Sequence, residues 1–334
     1  MNNMRIAILD DYQHVAREYA DWDSLNARVE VIHDPFPDTE TLVARLAEFD
    51  VLVAMRERTQ FPADVLRRLG RLKLLVTTGP ANAVIDVPAA RELGITVCGT
   101  RYPFSSATSE LAWALILAAV RNVPAETRSV REGGWQMSVG SGLEGKTLGL
   151  LGLGRTGSRV ARVGQAFDME TIAWSQNLTT EKAAEHGVRA VSKQELFARS
   201  DVLSVHLVLS DRSRGLVGAG ELAAMKPSAL LVNTSRGPIV DEDALVHALQ
   251  ERKIGGAALD VFGTEPLPER HVLRTLENVV ITPHLGYVTH GTYKVFYEEA
   301  VEDIAAFAAG KPIRVVDPVG DYLSARSGHA DLRE

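Results

Sequence analysis

The sequence predicts an α/β protein built on two doubly wound parallel sheets, and three observations carry that prediction. The chain has 334 residues, about twice a common domain length, so it can bury two cores. Short runs rich in Val, Ile and Leu alternate with helical periodicity almost throughout, as strands buried on both faces alternate with crossover helices. One such run leads directly into the glycine-rich turn GLGRTG and then into a helical pattern.

The elements follow in order. Arg5 to Leu9, Val29 to Ile32, Val51 to Val53, Leu74 to Val76 and Ile95 to Val97 read as five strands, with helices near Asp38 to Glu48 and Pro62 to Leu69. An apolar helix from about Ser106 to Arg121 comes next, then an irregular arm, Val123 to Gly142, containing Gly133, Gly134 and Trp135. Seven further strands are expected at Thr147 to Leu151, Thr171 to Trp174, Val188 to Ala190, Val202 to Val205, Ala229 to Val232, Gly256 to Leu259 and Val279 to Ile281. Thr292 to Ala309 is helical until Lys311 and Pro312 stop it. The first strand set lacks a closing helix of its own, so this last helix is expected to return to it. That makes the first domain discontinuous, residues 1–100 with 288–334, around an inserted domain of residues 101–287. The polar end, Ser324 to Glu334, is expected to fray.

Composition narrows the class. The chain is 46% hydrophobic and 24% charged, too apolar for general disorder. Its 36 Lys and Arg against 43 Asp and Glu, a net charge of −7, weigh against nucleic acid as the partner. They leave open an anionic small molecule held by one local Arg. The single cysteine, Cys98, excludes an internal disulfide and a multi-cysteine metal site and fits a reducing, cytoplasmic setting. No leader pattern is visible. The longest apolar run, Leu111 to Val120, is about half what a membrane crossing requires, so no membrane partner is expected.

The turn carries chemistry. Gly152, Leu153, Gly154, Arg155, Thr156 and Gly157 join the strand Thr147 to Leu151 to a helix. The first glycine permits the tight turn, the second lets backbone approach a pyrophosphate, and the third lets helix pack on strand. The helix N-terminus then offers N–H groups and partial positive charge to phosphate. At the next strand end, where a carboxylate would meet a ribose 2′-hydroxyl, stand Ser175, Gln176 and Asn177, with no cation before Lys182. Ser175 and Asn177 can hydrogen-bond either ribose. NAD and NADP both stay open, with NAD favoured because a phosphate dianion without a cation is the costlier ligand.

Three chemically capable residues follow successive strands of the second set: Arg236 in NTSRG, Glu265 in DVFGTEP and His284 in TPHLG. In a parallel sheet those ends face one crevice. Arg236 can grip a carboxylate with two parallel hydrogen bonds and polarise the adjacent carbonyl. His284 suits proton transfer near neutral pH. A Glu265 carboxylate on its other nitrogen fixes the tautomer and favours the imidazolium. The other histidines form no ligand cluster, so no metal is expected.

These residues carry a resemblance to the D-isomer specific 2-hydroxyacid dehydrogenase family. LLGLGRTG, LLVNTSRGPIVDEDAL, AALDVFGTEPLP and NVVITPHLGYVT resemble its successive signatures in order and spacing, across about Ile6 to Pro318. The resemblance implies a flavodoxin-like substrate domain, an inserted Rossmann NAD(P)-binding domain, and Arg236, Glu265 and His284 as the catalytic set. Asp260 matches the Asp beside the nicotinamide carboxamide. Thr108, His206, Val208, Thr234, Ser235 and Gly286 join Arg236, Asp260 and His284 around the cofactor. In TTGPANAVID, Thr78 and Gly79 match a loop whose backbone N–H groups hold the substrate carboxylate, and Arg56 in MRERT matches a position facing the substrate, as do Arg236 and His284. Three departures stand out: Pro80 offers no N–H, Val208 replaces a usual Pro, and Ser175 replaces an acidic residue common in NAD-preferring members. Glu265, rather than Gln, argues against the formate dehydrogenase branch.

The reading is hydride transfer between NAD(P)H and a small 2-oxo acid or D-2-hydroxy acid, of glyoxylate/hydroxypyruvate or phosphoglycerate type, in a homodimer formed through the NAD(P)-binding domain. The rival is a cofactor-sensing, corepressor-like binding protein on the same fold.

Overall fold

A computed structural model describes residues 4–102 and 106–316, and the chain divides into two units, Met1–Phe104 with Thr289–Glu334, and Ser105–Val288. In the first unit the aliphatic runs form five parallel strands: β1 (Arg5–Ile8), β2 (Arg28–Val31), β3 (Val51–Ala54), β4 (Leu74–Thr77) and β5 (Thr96–Gly99), ordered β2-β1-β3-β4-β5. VLVA of β3 and LLVT of β4 are buried throughout, as strands covered on both faces must be. The edge strand β2, RVEV, is only partly covered. Strand order reverses between β1 and β3, so the loops after them open on the crevice of this sheet. The helix His290–Ala308 belongs to this unit and buries Phe296, Tyr297, Ala300 and Ile304. Residues beyond it run antiparallel to β5, where Gly99 donates to the Arg314 carbonyl at 3.0 Å and Val316 to that of Val97 at 2.8 Å. Short helices at Ala16–Tyr19 and Val87–Glu92 add to the two expected from periodicity.

The second unit holds β6 (Thr147–Leu151), β7 (Glu170–Trp174), β8 (Arg189–Ala190), β9 (Val202–Val205), β10 (Leu230–Asn233), β11 (Gly256–Leu259) and β12 (Val279–Ile281), all parallel, ordered β12-β11-β10-β9-β6-β7-β8. The switch point lies between β6 and β9. The helix Ser106–Val120 packs with Arg155–Ala166 on one face, where the Trp113 indole donates to the Val160 carbonyl at 3.2 Å. Helices Lys193–Arg199 and Glu242–Gln250 cover the other.

One expectation needs correction. The segment read as an irregular arm begins as a helix, Val123–Arg131, and is irregular only afterwards. Asn122, left-handed at φ 53°, separates it from the preceding helix, and proline in its first turn fits the helix start. Glu126 then ties the arm back by accepting from the Met137 N–H at 3.2 Å and the Ser138 N–H at 2.8 Å. Ser324 to Glu334 lies outside the described residues. Among the described residues, no helix is long and apolar enough to cross a membrane.

Candidate active site

The turn after β6 is shaped by contact rather than by composition. Gly152 sits at φ +103°, where a Cβ would come within 2.9 Å of the His206 carbonyl oxygen. A Cβ at Gly157 would lie 2.2 Å from the Gly152 oxygen, so the helix is packed hard on the turn. At Gly154 a Cβ would meet nothing within 4 Å. The helix Arg155–Ala166 begins there with no side-chain cap, its N–H groups beside open space; Leu153 and Thr156 are half-buried and Arg155 exposed.

Across the switch point, His206 Nε2 and Thr234 Oγ1 are buried with no hydrogen-bond partner. Such groups cost about 1–3 kcal/mol each unless something satisfies them. Desolvation pushes the His206 imidazole down to about 4, so it is neutral and able to accept or donate. An open glycine turn, an uncapped helix start and two orphaned polar atoms fit a dinucleotide. Ser175 follows β7 half-buried and Asn177 is exposed, while Val208 is 57% exposed. Ser235 is committed internally: its hydroxyl donates to the Leu207 carbonyl and its N–H to Asn233 Oδ1 at 3.0 Å.

Arg236, Glu265 and His284 follow β10, β11 and β12, three neighbouring strands in register through Asn233, Leu259 and Ile281. His284 Nδ1 lies 2.6 Å from Glu265 Oε2, and Glu265 Oε1 accepts from the Phe262 N–H at 2.9 Å, so the carboxylate is oriented from behind. His284 occupies the left-handed region at φ +56°, sparsely used by residues with a Cβ. Buried Asp260 supports that conformation. Its oxygens accept from Thr282 Oγ1 at 2.6 Å, the Leu285 N–H at 2.7 Å and the Gly286 N–H at 2.9 Å, while its carbonyl accepts from the His284 N–H at 2.8 Å. Burial raises the Asp260 carboxyl above its usual range, outweighing the donors and the nearby imidazole. Thr108 Oγ1 secures the same loop through the Gly286 carbonyl at 3.0 Å. The edge of Tyr287 meets the His284 ring at 5.4 Å. Half-buried Arg236 donates from Nη1 to the Ser235 carbonyl at 2.8 Å.

In the first unit the loop after β4 differs from its expectation. The Thr78 N–H donates to the Ala54 carbonyl at 2.9 Å and the Gly79 N–H to Thr100 Oγ1 at 2.8 Å. Both expected carboxylate donors are therefore used inside the unit, the first by extension of the β3–β4 ladder and the second by a buried hydroxyl. Thr78 instead serves Arg56: its hydroxyl accepts from the Arg56 N–H at 2.8 Å and its carbonyl from Arg56 Nη1 at 3.1 Å.

A family model described as "D-isomer specific 2-hydroxyacid dehydrogenase, NAD binding domain" matches residues 113–286. This chain belongs to the D-isomer specific 2-hydroxyacid dehydrogenase family. It is 43% identical over 284 residues to a glyoxylate reductase of Aeropyrum pernix, covering 82% of this chain and 84% of that one. It is 38% identical to a D-3-phosphoglycerate dehydrogenase of Methanocaldococcus jannaschii over 81% of this chain, but spans about half that relative's length (52%). The solved structure of a putative D-3-phosphoglycerate dehydrogenase from Ralstonia solanacearum superposes with a TM-score of 0.89 at 37% identity, covering 94% of this chain and 97% of that one. A phosphoglycerate oxidoreductase from Vibrio cholerae gives 0.87 at 40% identity, covering 92% and 99%.

The dehydrogenase is thus an NAD(P)-dependent oxidoreductase of 2-hydroxy acids on two parallel-sheet α/β domains, one of them a Rossmann domain. Sequence reasoning placed Asp260 near the cofactor but missed its grip on the His284 loop. A buried carboxylate at the end of DVFGTEP's strand, opposite the polar Thr282, was the available signal. It also passed over Asn82, whose amide donates to the Arg56 carbonyl at 2.6 Å.

Proposed function

We propose that this dehydrogenase reduces a small 2-oxo acid of the glyoxylate/hydroxypyruvate type to the D-2-hydroxy acid, with His284 as proton donor and Arg236 gripping the carboxylate and carbonyl. The carrying observation is the His284–Glu265 pair. A carboxylate on Nδ1 requires the proton there, which assigns Nε2 to the reacting oxygen. The nicotinamide, when bound, supplies the hydride. Arg236 orients the acid and stabilises charge developing on the carbonyl oxygen; Glu265 and Asp260 hold His284 so that a proton is delivered at a fixed point. In oxidation the same imidazole takes the proton.

The glycine turn with His206, Thr234 and Ser175 holds the cofactor in this reading, with Asp260, Gly286 and Thr108 acting through the His284 loop. NAD is preferred because Ser175 and Asn177 present no cation to a 2′-phosphate. Arg56 is a substrate-facing residue in this reading, and Thr78 and Gly79 support it. The working form is a cytoplasmic homodimer joined through residues 101–287.

A matrix of glyoxylate, hydroxypyruvate, 3-phosphohydroxypyruvate and pyruvate against NADH and NADPH tests the proposal. Glyoxylate or hydroxypyruvate with NADH is expected to lead. His284→Ala should lower kcat by at least about 100-fold, the lower range for a positioned acid. Wild-type turnover in that variant overturns the assignment, and tight NADH binding without turnover of any acid moves the chain to the corepressor-like class.

A further inference from the structure

Arg56 occupies the left-handed region at φ +51°, a conformation that persists in a residue with a Cβ only where its surroundings over-determine it. Here they do so at both backbone atoms and at the guanidinium. Its N–H donates to Thr78 Oγ1 at 2.8 Å, and its carbonyl accepts from Asn82 Nδ2 at 2.6 Å. Nη1 donates to the Thr78 carbonyl at 3.1 Å, Nη2 lies 3.3 Å from Glu57 Oε1, and the Tyr102 ring centre is 5.8 Å from Cζ. A Cβ on Gly79 would sit 1.8 Å from Nη1, so the guanidinium lies directly across that glycine. These contacts draw on two of the five guanidinium N–H donors.

Asn82 has two separable uses. Its Oδ1 accepts from the Val84 N–H at 3.1 Å, an ordinary loop clip. Its amide nitrogen donates to the Arg56 carbonyl, and also to Thr77 Oγ1 at 2.9 Å. A clip needs only the oxygen. The nitrogen is directed at the carbonyl of a residue in the left-handed region whose guanidinium is held by Thr78, Glu57 and Tyr102.

We propose that Asn82 is a positioning residue: its amide pins the Arg56 carbonyl and so fixes the guanidinium across Gly79 in the orientation that receives a substrate anion. This rests on the reading of Arg56 as a substrate-side residue. Gly79 is then required for the room it leaves, and its N–H plays no part in anion binding.

Asn82→Asp separates the uses, since one carboxylate oxygen still accepts from Val84 while the other cannot donate to Arg56. With glyoxylate as substrate, KM is expected to rise about tenfold, the scale of one lost hydrogen bond behind a charged ligand group. The kcat should stay near wild type, while the melting temperature falls because the buried carboxylate faces the Arg56 carbonyl; the comparison in the Arg56→Ala background separates positioning from this general destabilisation. In an Arg56→Ala background, Asn82→Asp should leave KM unmoved. Asn82→Ala, which loses both uses, should raise KM and lower the melting temperature together. Calorimetric titration with oxalate repeats the comparison without turnover. If Arg56→Ala weakens glyoxylate and oxalate while Asn82→Asp does not, the positioning role is overturned and the Arg56 reading stands. If neither substitution weakens either ligand, the Arg56 reading itself fails. If Asn82→Asp raises KM equally in both backgrounds, Asn82 acts elsewhere and the proposal fails.

Discussion

Gly154 and Gly157 share one turn, yet a methyl group would meet opposite surroundings at each. At Gly157 it would lie 2.2 Å from backbone, whereas at Gly154 it would enter open space. Gly154→Ala should therefore fold normally, with a melting temperature within a degree or two, and weaken NADH binding by about tenfold or more, because the methyl stands where backbone must approach the pyrophosphate. Gly157→Ala should cost about 1–3 kcal/mol of stability by overpacking, read as a fall in melting temperature before any cofactor is added. Fluorescence titration with NADH and thermal melts check both. At the other end of the chemistry, Glu265→Gln keeps a group of similar shape beside His284 Nδ1 but removes its charge. Reduction should then fall, since Nδ1–H loses the charged acceptor that fixes the imidazole's tautomer and orientation; unchanged turnover would count against the pairing.

Among the elements, the segment that returns along β5 depends on an ion network. Arg314, at φ +50°, donates to Asp303 Oδ1 at 2.9 Å and to the Glu299 carbonyl at 2.8 Å, and pairs with Glu302 at 2.9 Å. Asp303 is fully buried, and desolvation, only partly offset by Arg314, raises its carboxyl to about 7. An unfolded Asp titrates near 4, so between about 4 and 7 the folded state binds the extra proton and stability declines as pH rises through that window. Arg314→Ala removes the compensating charge and should cost about 3 kcal/mol, the scale for breaking a buried pair. The loss should be clearly larger at pH 8, where Asp303 is ionised, than at pH 5, where protonation relieves it. Thermal melts of both proteins at the two pH values test this; equal losses would sink it. Such features also mark where sequence stops being informative. Strands such as VLVA and LLVT announce themselves because a doubly buried strand can be read one residue at a time. The Arg314 segment, the Asp260 clamp and the Asn82–Arg56 bond could not be read that way, because each joins residues distant in sequence, or turns a polar side chain inward for a partner that only the folded chain supplies.

At the scale of the whole molecule, the remaining question is what covers the arm. After the helix Val123–Arg131 the chain runs exposed, with Trp135 at 73%, Met137 at 70% and Val139 at 97% accessible, beside Val130 at 53%. Single exposed apolar residues need no explanation, but a group of large ones on one segment does. The arm is nonetheless ordered by its own polar contacts: Glu126 holds Ser138, and Ser129 Oγ donates to the Trp135 carbonyl at 3.0 Å. Its backbone is therefore preorganised while its apolar side chains face outward, the arrangement expected of a surface that meets a second copy without first paying to order itself. A net charge of −7 opposes self-association only weakly at physiological salt, where screening acts within about 8 Å. Light scattering should accordingly report a dimer, and Trp135→Asp combined with Val139→Asp should shift it toward monomer by placing two carboxylates in the apolar interface. Neither residue is among those that hold the cofactor in the proposed reading, the glycine turn with Ser175, His206 and Thr234, so the variant should keep its NADH affinity. A wild-type chain that scatters as a monomer at micromolar concentration would overturn the assembly, and a double variant that stays dimeric would place the interface elsewhere on the molecule.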